Sequence, residues 1–167
     1  MPKSDKLLAM LEHLSEPYRA QALHLYDKYN TDFRSVPSSK DYHGAYVGGN
    51  YDHTFDVMKN CNVVYSFYLA FCKENNLPIK FSKDKLIFAA FLHDFGKIYQ
   101  MTKKPYIHHT VWIFEILKSE NIKIDNDVAT ALRMHHGGYG DRAGEPNEMS
   151  ILLHCIDMLA SRFLEVK

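Results

Sequence analysis

The sequence has few cysteines, and this scarcity excludes two classes of small protein. The only three, Cys61, Cys72 and Cys155, are spread over 167 residues, and no two of them form a CxxC pair. An odd number of widely separated cysteines argues against a disulfide framework, and the missing CxxC pair argues against a zinc knuckle. We therefore expect a reducing location, the cytoplasm.

Long apolar runs and an excess of either charge are also absent. No apolar stretch approaches the roughly 18 residues of a membrane span, so we expect no membrane partner. Residues 1–17 are amphipathic and lack the apolar core of a signal peptide. Twenty basic and twenty acidic residues give a net charge of zero. The chain therefore has no overall basic field to concentrate it on nucleic acid.

Hydrophobic periodicity indicates an all-α protein, because apolar residues recur at steps of three and four while strand-like alternation is weak. The length fits one compact domain over residues 1–167, a single helical bundle. Within it, residues 1–34 form N-terminal helices that pack on a core of residues 35–165. The amphipathic residues 5–29 have a dimer contact as their alternative role, and we expect packing on the core.

Turn and cap signals predict seven helices. Their approximate ranges are 5–14, 15–29, 50–76, 82–99, 107–119, 126–136 and 147–163, with caps at Ser4, Ser15, Asn50, Ser82 and Asn147. The third helix carries one face of mainly apolar residues: His53, Val57, Cys61, Val64, Tyr68 and Phe71. Polar loops over 30–49 and 137–146 separate the longer helices.

A histidine and an aspartate, His93 and Asp94, follow seven consecutive apolar residues, 86–92. Such a run predicts a buried segment, where an unpartnered carboxylate or imidazole is costly. A metal ion satisfies both side chains at once. Lys97 lies one turn further on, where it is either a solvated lysine at a helix end or a cation suited to a phosphate oxygen.

Two more residues have both a structural and a metal-binding interpretation. His53 begins an apolar helix face, where it either hydrogen-bonds a carbonyl group or binds a metal. Asp157 lies inside an apolar run and needs a strong partner. That partner is either an arginine, such as Arg162 or Arg133, or a metal ion.

The order of these motifs resembles that of the HD-domain metal-dependent phosphohydrolase superfamily, which has a histidine, then His-Asp, then an aspartate on separate helices. The closest motif pattern is that of the HD domain of bacterial 3′-to-5′ exoribonucleases. The matching segments are the loop and helix start at 37–54, the central motif at 92–97, the histidine segments 107–115 and 134–139, and the final 156–160. The resemblance covers residues 35–165.

The resemblance implies a site with two metal ions. In this family the first ion would be held by His53, His93, Asp94 and Asp157. The second would be bridged by Asp94 and held by His109 and His135, with His136 as an additional candidate and His108 as a neighbour. A histidine-rich donor set suits Mn²⁺, Fe²⁺, Co²⁺, Ni²⁺ or Zn²⁺ better than Mg²⁺ alone.

The resemblance also implies hydrolysis of phosphoester bonds by a metal-activated hydroxide. Asp94 and Lys97 would be the catalytic residues, and His43 and Arg142 are candidate substrate contacts on flanking loops. The related exoribonucleases have a nucleic-acid-binding domain before the HD domain, whereas here about 35 helical residues precede the motifs. With zero net charge, this favours nucleotides or short oligonucleotides as substrates.

Three alternative functions remain. The first is a 3′-to-5′ exonuclease acting on longer RNA or DNA. The second is a mixed-valent di-iron oxygenase, which uses a similar ligand set in the same superfamily. The third is a metal-stabilised regulatory module without turnover, against which the complete ligand set and Lys97 argue. The sequence does not specify the oligomeric state.

Overall fold

The computed structural model describes residues 5–103, 107–137 and 144–162. These ranges contain helices and no strand, which confirms the predicted all-α class. The described ranges contain seven helices and one four-residue helical turn, α5. In chain order they are α1 (Lys6–Glu12), α2 (Tyr18–Phe33), α3 (Gly49–Glu74), α4 (Lys83–Leu92), α5 (Lys97–Gln100), α6 (His109–Ser119), α7 (Asn126–Met134) and α8 (Glu148–Arg162).

The short helix α4 lies at the centre of the fold. It contacts α2, α3, α7 and α8, and every residue from 86 to 92 is buried. A helix that is apolar all round has no solvent-facing stripe, so it is stable only when other helices surround it. This arrangement places the residues that follow Leu92 in the interior.

The N-terminal helices contribute to the same buried cluster. Leu7 and Leu11 of α1 and Leu25 and Phe33 of α2 are fully buried, and Phe33 packs against Phe91 of α4 with ring centroids 6.3 Å apart. The amphipathic pattern of residues 5–29 is thus accounted for by burial on the core side. The assignment of residues 1–34 and 35–165 to one domain stays a prediction.

The predicted central helix, from Ser82 to about Tyr99, is wrong in its second half. The helix ends at Leu92, residues 93–96 form turns, and α5 starts at Lys97. Close packing on α6 explains part of this geometry, because a Cβ atom on Gly96 would lie 2.1 Å from the carbonyl oxygen of His109. Only glycine allows this approach.

Some helix starts also differ from the predicted ones. Ser4 lies outside the described residues, and Asp5 caps α1 by accepting a hydrogen bond from Leu8 N–H. Helix α3 starts at Gly49 after Gly48 in the left-handed conformation (φ 86°), so Asn50 is inside the helix. The end of α2 is Phe33, four residues beyond the predicted end.

The predicted caps at Ser82 and Asn147 are confirmed by hydrogen bonds from Lys85 N–H and Ser150 N–H. On the predicted apolar face of α3, Phe71 is the exception, since it is exposed. None of the described helices combines the length and the apolar character that crossing a bilayer requires.

Candidate metal centre

Three helices bring a first group of metal-ligand side chains together. His53 lies in the second turn of α3, His93 follows the end of α4, and Asp157 lies in α8. His53 Nε2 is 3.1 Å from Asp157 Oδ1 and 3.2 Å from His93 Nε2. One donor atom from each residue lies within 4.8 Å of the other two. Asp157 therefore has His53 as its partner, and it forms no ion pair with Arg133 or Arg162, the two arginines that the sequence offered.

A second group of metal-ligand side chains includes Asp94. Its other members are His109 at the start of α6, and His135 and His136 after α7. His109 Nε2 is 3.2 Å from Asp94 Oδ1 and 2.9 Å from His136 Nε2. The donor atoms of this group also lie within 4.8 Å of one another. His136, the least certain of the sequence candidates, is thus in the group.

The carboxylate of Asp94 faces both groups. Its Oδ2 atom is 3.4 Å from His93 Nε2 and 3.5 Å from His53 Nε2, while its Oδ1 atom points to His109. A carboxylate in this position can bind one ion through each oxygen. The arrangement therefore supports the bridging role that the family resemblance implies.

Hydrogen bonds to Nδ1 orient three of these imidazole rings. The Nδ1 atoms of His93 and His135 are 2.6 Å and 2.9 Å from the carbonyl oxygens of Ala90 and Leu132. His109 Nδ1 is 3.0 Å from Gln100 Oε1. Each contact requires Nδ1–H as the donor, so in the neutral ring Nε2 carries the free lone pair. Holding a histidine by its second nitrogen is typical of metal sites.

The donor atoms are arranged for a cation. His135 Nε2 is buried and makes no hydrogen bond to any part of the chain that the structure describes. His93 Nε2 and His109 Nε2 each present a lone pair to another imidazole nitrogen at about hydrogen-bond distance. Buried acceptors are normally satisfied. A metal ion in each group would satisfy all of them, so these residues fit divalent metals.

The protonation states in the second group also favour metal binding. Burial lowers the pKa of His109 and of His136 to about 4, and it lowers the pKa of His135 well below its usual value, so these rings are neutral near pH 7. Burial acts to raise the pKa of Asp94, but Lys97 and His93 outweigh it and hold this pKa well below its usual range. Neutral imidazoles and ionised carboxylates are the forms that bind metals.

Lys97 is not a solvated lysine at a helix end. It is buried in α5, and its Nζ atom donates to Asp94 Oδ2. The lysine therefore lies beside the candidate bridging carboxylate. Lys97 also lines a pocket together with Asp94, His136 and Asp157.

A pocket of about 200 Å³ opens over this centre. Its lining includes Ser39, Tyr42, His43, Asp94, Lys97, His136, Asp157 and Arg162. The predicted substrate contact His43 is there, with its ring centroid 4.9 Å from that of His53. The other predicted contact, Arg142, lies outside the described residues.

Sequence reasoning missed several residues around the centre. Gln100 orients His109, and His154 Nδ1 donates to the carbonyl oxygen of His135 at 2.6 Å. Tyr42 and Arg162 line the pocket. Gln100 lies three residues after the central motif at 92–97, a spacing that carries no signal of its own, because a glutamine orients a histidine only through the tertiary fold.

His108 is a neighbour of the centre, as the sequence suggested. Its side chain caps α6 by accepting a hydrogen bond from Thr110 N–H, and it belongs to neither metal-ligand group. Its ring centroid lies 4.2 Å from that of His109, so it packs on a candidate ligand.

Comparison with known families adds one match. A family model described as "HD domain" matches residues 50–163, a range that contains every member of the two metal-ligand groups. Comparisons with curated proteins and with solved structures give no match.

Proposed function

This chain belongs to the HD-domain family, and from that premise we propose that it is a metal-dependent phosphohydrolase acting on nucleotides or short nucleic acids. One observation carries the proposal. Two groups of histidines and carboxylates meet at Asp94, beneath a pocket that also contains Lys97 and Arg162. Cations around a pocket of this size suit a phosphate group.

The metal-binding part of the proposal assigns His53, His93 and Asp157 to one ion and His109, His135 and His136 to another, with Asp94 between them. Two divalent cations held there would lower the pKa of a water molecule and withdraw charge from phosphate oxygens. Imidazole-rich donors favour Mn²⁺, Fe²⁺, Co²⁺, Ni²⁺ or Zn²⁺.

The remaining polar residues would bind and orient the phosphoester. Lys97 can donate from its ammonium group to a non-bridging oxygen, and Arg162 can bind a second oxygen at the pocket rim. His43 presents an imidazole beside His53, where it can hydrogen-bond the leaving oxygen. Arg142 remains a candidate for the same role as Arg162.

The preference for small substrates rests on charge and size. The net charge is zero, and the pocket over the metal-ligand groups measures about 200 Å³. Long nucleic acids are bound through many phosphate contacts from basic residues. The motif pattern similar to that of the exoribonuclease HD domains supports a phosphodiester as the bond that is cleaved. The cytoplasmic location remains a prediction from cysteine usage.

The test is a substrate screen with each candidate metal, covering nucleoside mono-, di- and triphosphates, dinucleotides, cyclic dinucleotides and short RNA and DNA. We expect hydrolysis of at least one short substrate and none by Asp94→Ala, whose far-UV circular dichroism should match that of the wild type. Failure of the metal-loaded protein to hydrolyse any of them would contradict the proposal. Iron-dependent oxygen consumption would favour the oxygenase alternative.

A further inference from the structure

Two pockets lie on either side of His43, which lines both of them. The first, over Asp94 and Lys97, measures about 200 Å³, and the second, beside His53, measures about 230 Å³. Each is smaller than the ~300 Å³ at the lower end of typical small-molecule sites. Two small pockets that share a wall suit one ligand made of two parts.

The two pockets differ in charge. The first contains Lys97 and Arg162 beside the metal-ligand carboxylates. The second is lined by Asp52 and Asp56, and none of its lining residues within the described part of the chain is a lysine or arginine. Because like charges repel at short range, a phosphate group is favoured in the first pocket and disfavoured in the second. The second pocket therefore suits an uncharged part of the ligand.

Each pocket has an exposed tyrosine in its lining. Tyr42, which is 74% exposed, lines the first pocket, and Tyr46, which is 53% exposed, lines the second. The hydroxyl group of Tyr46 donates to Asp52 Oδ2 at 2.8 Å, which fixes its ring at the mouth of its pocket. An exposed aromatic ring beside a pocket offers a stacking surface for a nucleobase.

The loop that carries both tyrosines is held by its own hydrogen bonds. Ser38 N–H donates to Gly44 O, and Ser39 Oγ both donates to His43 O and accepts from Tyr42 N–H. A Cβ atom on Gly49 would lie 2.0 Å from Gly44 O, so the loop lies tightly against the start of α3. The rings are thus presented by a fixed backbone, which lowers the entropy cost of stacking.

We propose that the two pockets bind a dinucleoside monophosphate, two nucleosides joined by one phosphodiester. The phosphate occupies the first pocket, one base stacks on Tyr42, and the second nucleoside enters the acidic pocket and stacks on Tyr46. Hydrolysis adds one water across a P–O ester bond and gives one nucleoside monophosphate and one nucleoside. This deepens the proposed function and rests on it.

The test is equilibrium binding of a hydrolysis-resistant dinucleoside phosphorothioate that carries 2-aminopurine at either position, because stacking quenches the fluorescence of this base. With the Zn²⁺-loaded protein, Tyr42→Ala and Tyr46→Ala should each weaken binding about 5- to 150-fold, the range expected for one stacked base. Each should also abolish quenching at a different position. The control variants Tyr42→Phe and Tyr46→Phe keep the rings and should retain quenching.

A terminal phosphate on the ligand tests the second pocket, which is acidic because Asp52 and Asp56 line it. Adding it to the nucleoside that stacks on Tyr46 should weaken binding, and Asp52→Asn should recover part of the loss. Wild-type binding and quenching in both alanine variants would overturn the inference.

A phosphodiester without a nucleobase distinguishes failure of the dinucleotide inference from failure of the proposed phosphohydrolase function. Methyl p-nitrophenyl phosphate needs the metal centre but offers no nucleobase. If the wild type cleaves it, Asp94→Ala does not, and the tyrosine variants bind the dinucleotide as the wild type does, only the dinucleotide inference is wrong. If the wild type cleaves neither methyl p-nitrophenyl phosphate nor an unmodified dinucleoside monophosphate, both proposals are wrong.

The outer face of α3 carries an apolar stripe that is independent of the metal centre. Val63 and Phe67 are 73% and 76% exposed. Because an α-helix has 3.6 residues per turn, these two residues share one exposed face with two small residues. A lysine and a glutamate lie at the two ends of this face. The members of this α3 face are Lys59, Val63, Ser66, Phe67, Ala70 and Glu74.

The α3 face is complementary to itself when two copies pack antiparallel. A two-fold axis between Ser66 and Phe67 places each Phe67 opposite the small Ser66 of the other copy. The same register places Val63 opposite Ala70, so that large and small residues interdigitate. At the ends it pairs Lys59 with Glu74.

We infer that the α3 face binds a second copy of this chain, with antiparallel α3 helices at the interface. Leu159 on the adjoining α8 is also exposed and lines a pocket with Lys59 and Val63, so it extends the apolar surface. Such an extension is needed because a stable interface buries about 800 Å² on each partner.

Sedimentation velocity tests the dimer. The wild type should form dimers at micromolar concentration, and Phe67→Glu should be monomeric. Lys59→Glu should weaken the dimer several-fold, and the charge exchange Lys59→Glu/Glu74→Lys should restore it, while Lys118→Glu on α6 serves as the matched control. A monomeric wild type, or a double variant no stronger than Lys59→Glu, would overturn the inference.

Discussion

His109 and His136 face each other through their Nε2 atoms at 2.9 Å. Nδ1 of His109 is held by Gln100 Oε1, so His109 Nε2 is an acceptor. Burial keeps both rings neutral near pH 7, since the pKa of each is about 4. Two neutral imidazoles at this distance can share one hydrogen bond, and the same two nitrogens are close enough to bind one cation together.

Gln100 should act as a positioning residue for the second ion. Its loss frees His109 to rotate, so Gln100→Ala should weaken binding of one of the two ions by about 10- to 100-fold and leave the other unchanged. The measurement is a competitive metal titration with a chromophoric chelator. Gln100→Glu keeps an oxygen acceptor for Nδ1–H and should retain most of the affinity. Equal weakening of both ions would indicate a general structural effect.

Gly96 should tolerate no side chain. A Cβ atom there would lie 2.1 Å from His109 O and 2.9 Å from Ile113 N, which are backbone atoms that cannot rotate away. We expect Gly96→Ala to lower the free energy of unfolding by about 1–3 kcal/mol. This lowers the melting temperature by about 2–4 °C per kcal/mol, measured by calorimetry. An unchanged melting temperature would show that α5 and α6 separate easily.

The carboxylate of Asp5 should make stability depend on pH. Burial acts to raise its pKa, but hydrogen bonds from Tyr26, Tyr51 and Leu8 N–H, together with Arg34, lower it from 3.8 to about 2. Because the folded-state pKa is depressed, the stabilisation is present above about pH 4 and is lost as the pH falls towards 2.

At ~1.4 kcal/mol per pKa unit, Asp5 contributes about 2 kcal/mol at neutral pH. Urea unfolding should therefore show that Asp5→Asn destabilises the protein by about this amount at pH 7 and by much less near pH 2. The same difference between variant and wild type at both pH values would contradict this assignment.

The sequence predicted which side chains lie together more accurately than it predicted where the helices begin and end. His53, His93 and Asp157 each lie in or beside an apolar helical stretch, where burial demands a partner. That demand can be recognised from sequence, and the structure brings the three side chains within 4.8 Å of one another.

What the sequence could not predict depends on contacts between distant segments. The end of the central helix at Leu92 reflects the approach of Gly96 to α6, which no local pattern encodes. The cap at Asp5 competes with Ser4 on equal local terms, and the tertiary hydrogen bonds of Asp5 with Tyr26 and Tyr51 single it out. Tyr42 lines the pocket because of its loop geometry, which sequence patterns do not specify.

The metal content of purified wild type and His109→Ala, measured by mass spectrometry, tests the central claim most directly. The account predicts about two ions per wild-type chain and about one in His109→Ala, since only the group containing His135 and His136 loses a ligand. Lys118→Ala on the exposed side of α6 should keep both ions. A wild type that binds at most one ion, or a count unchanged in His109→Ala, would contradict the account.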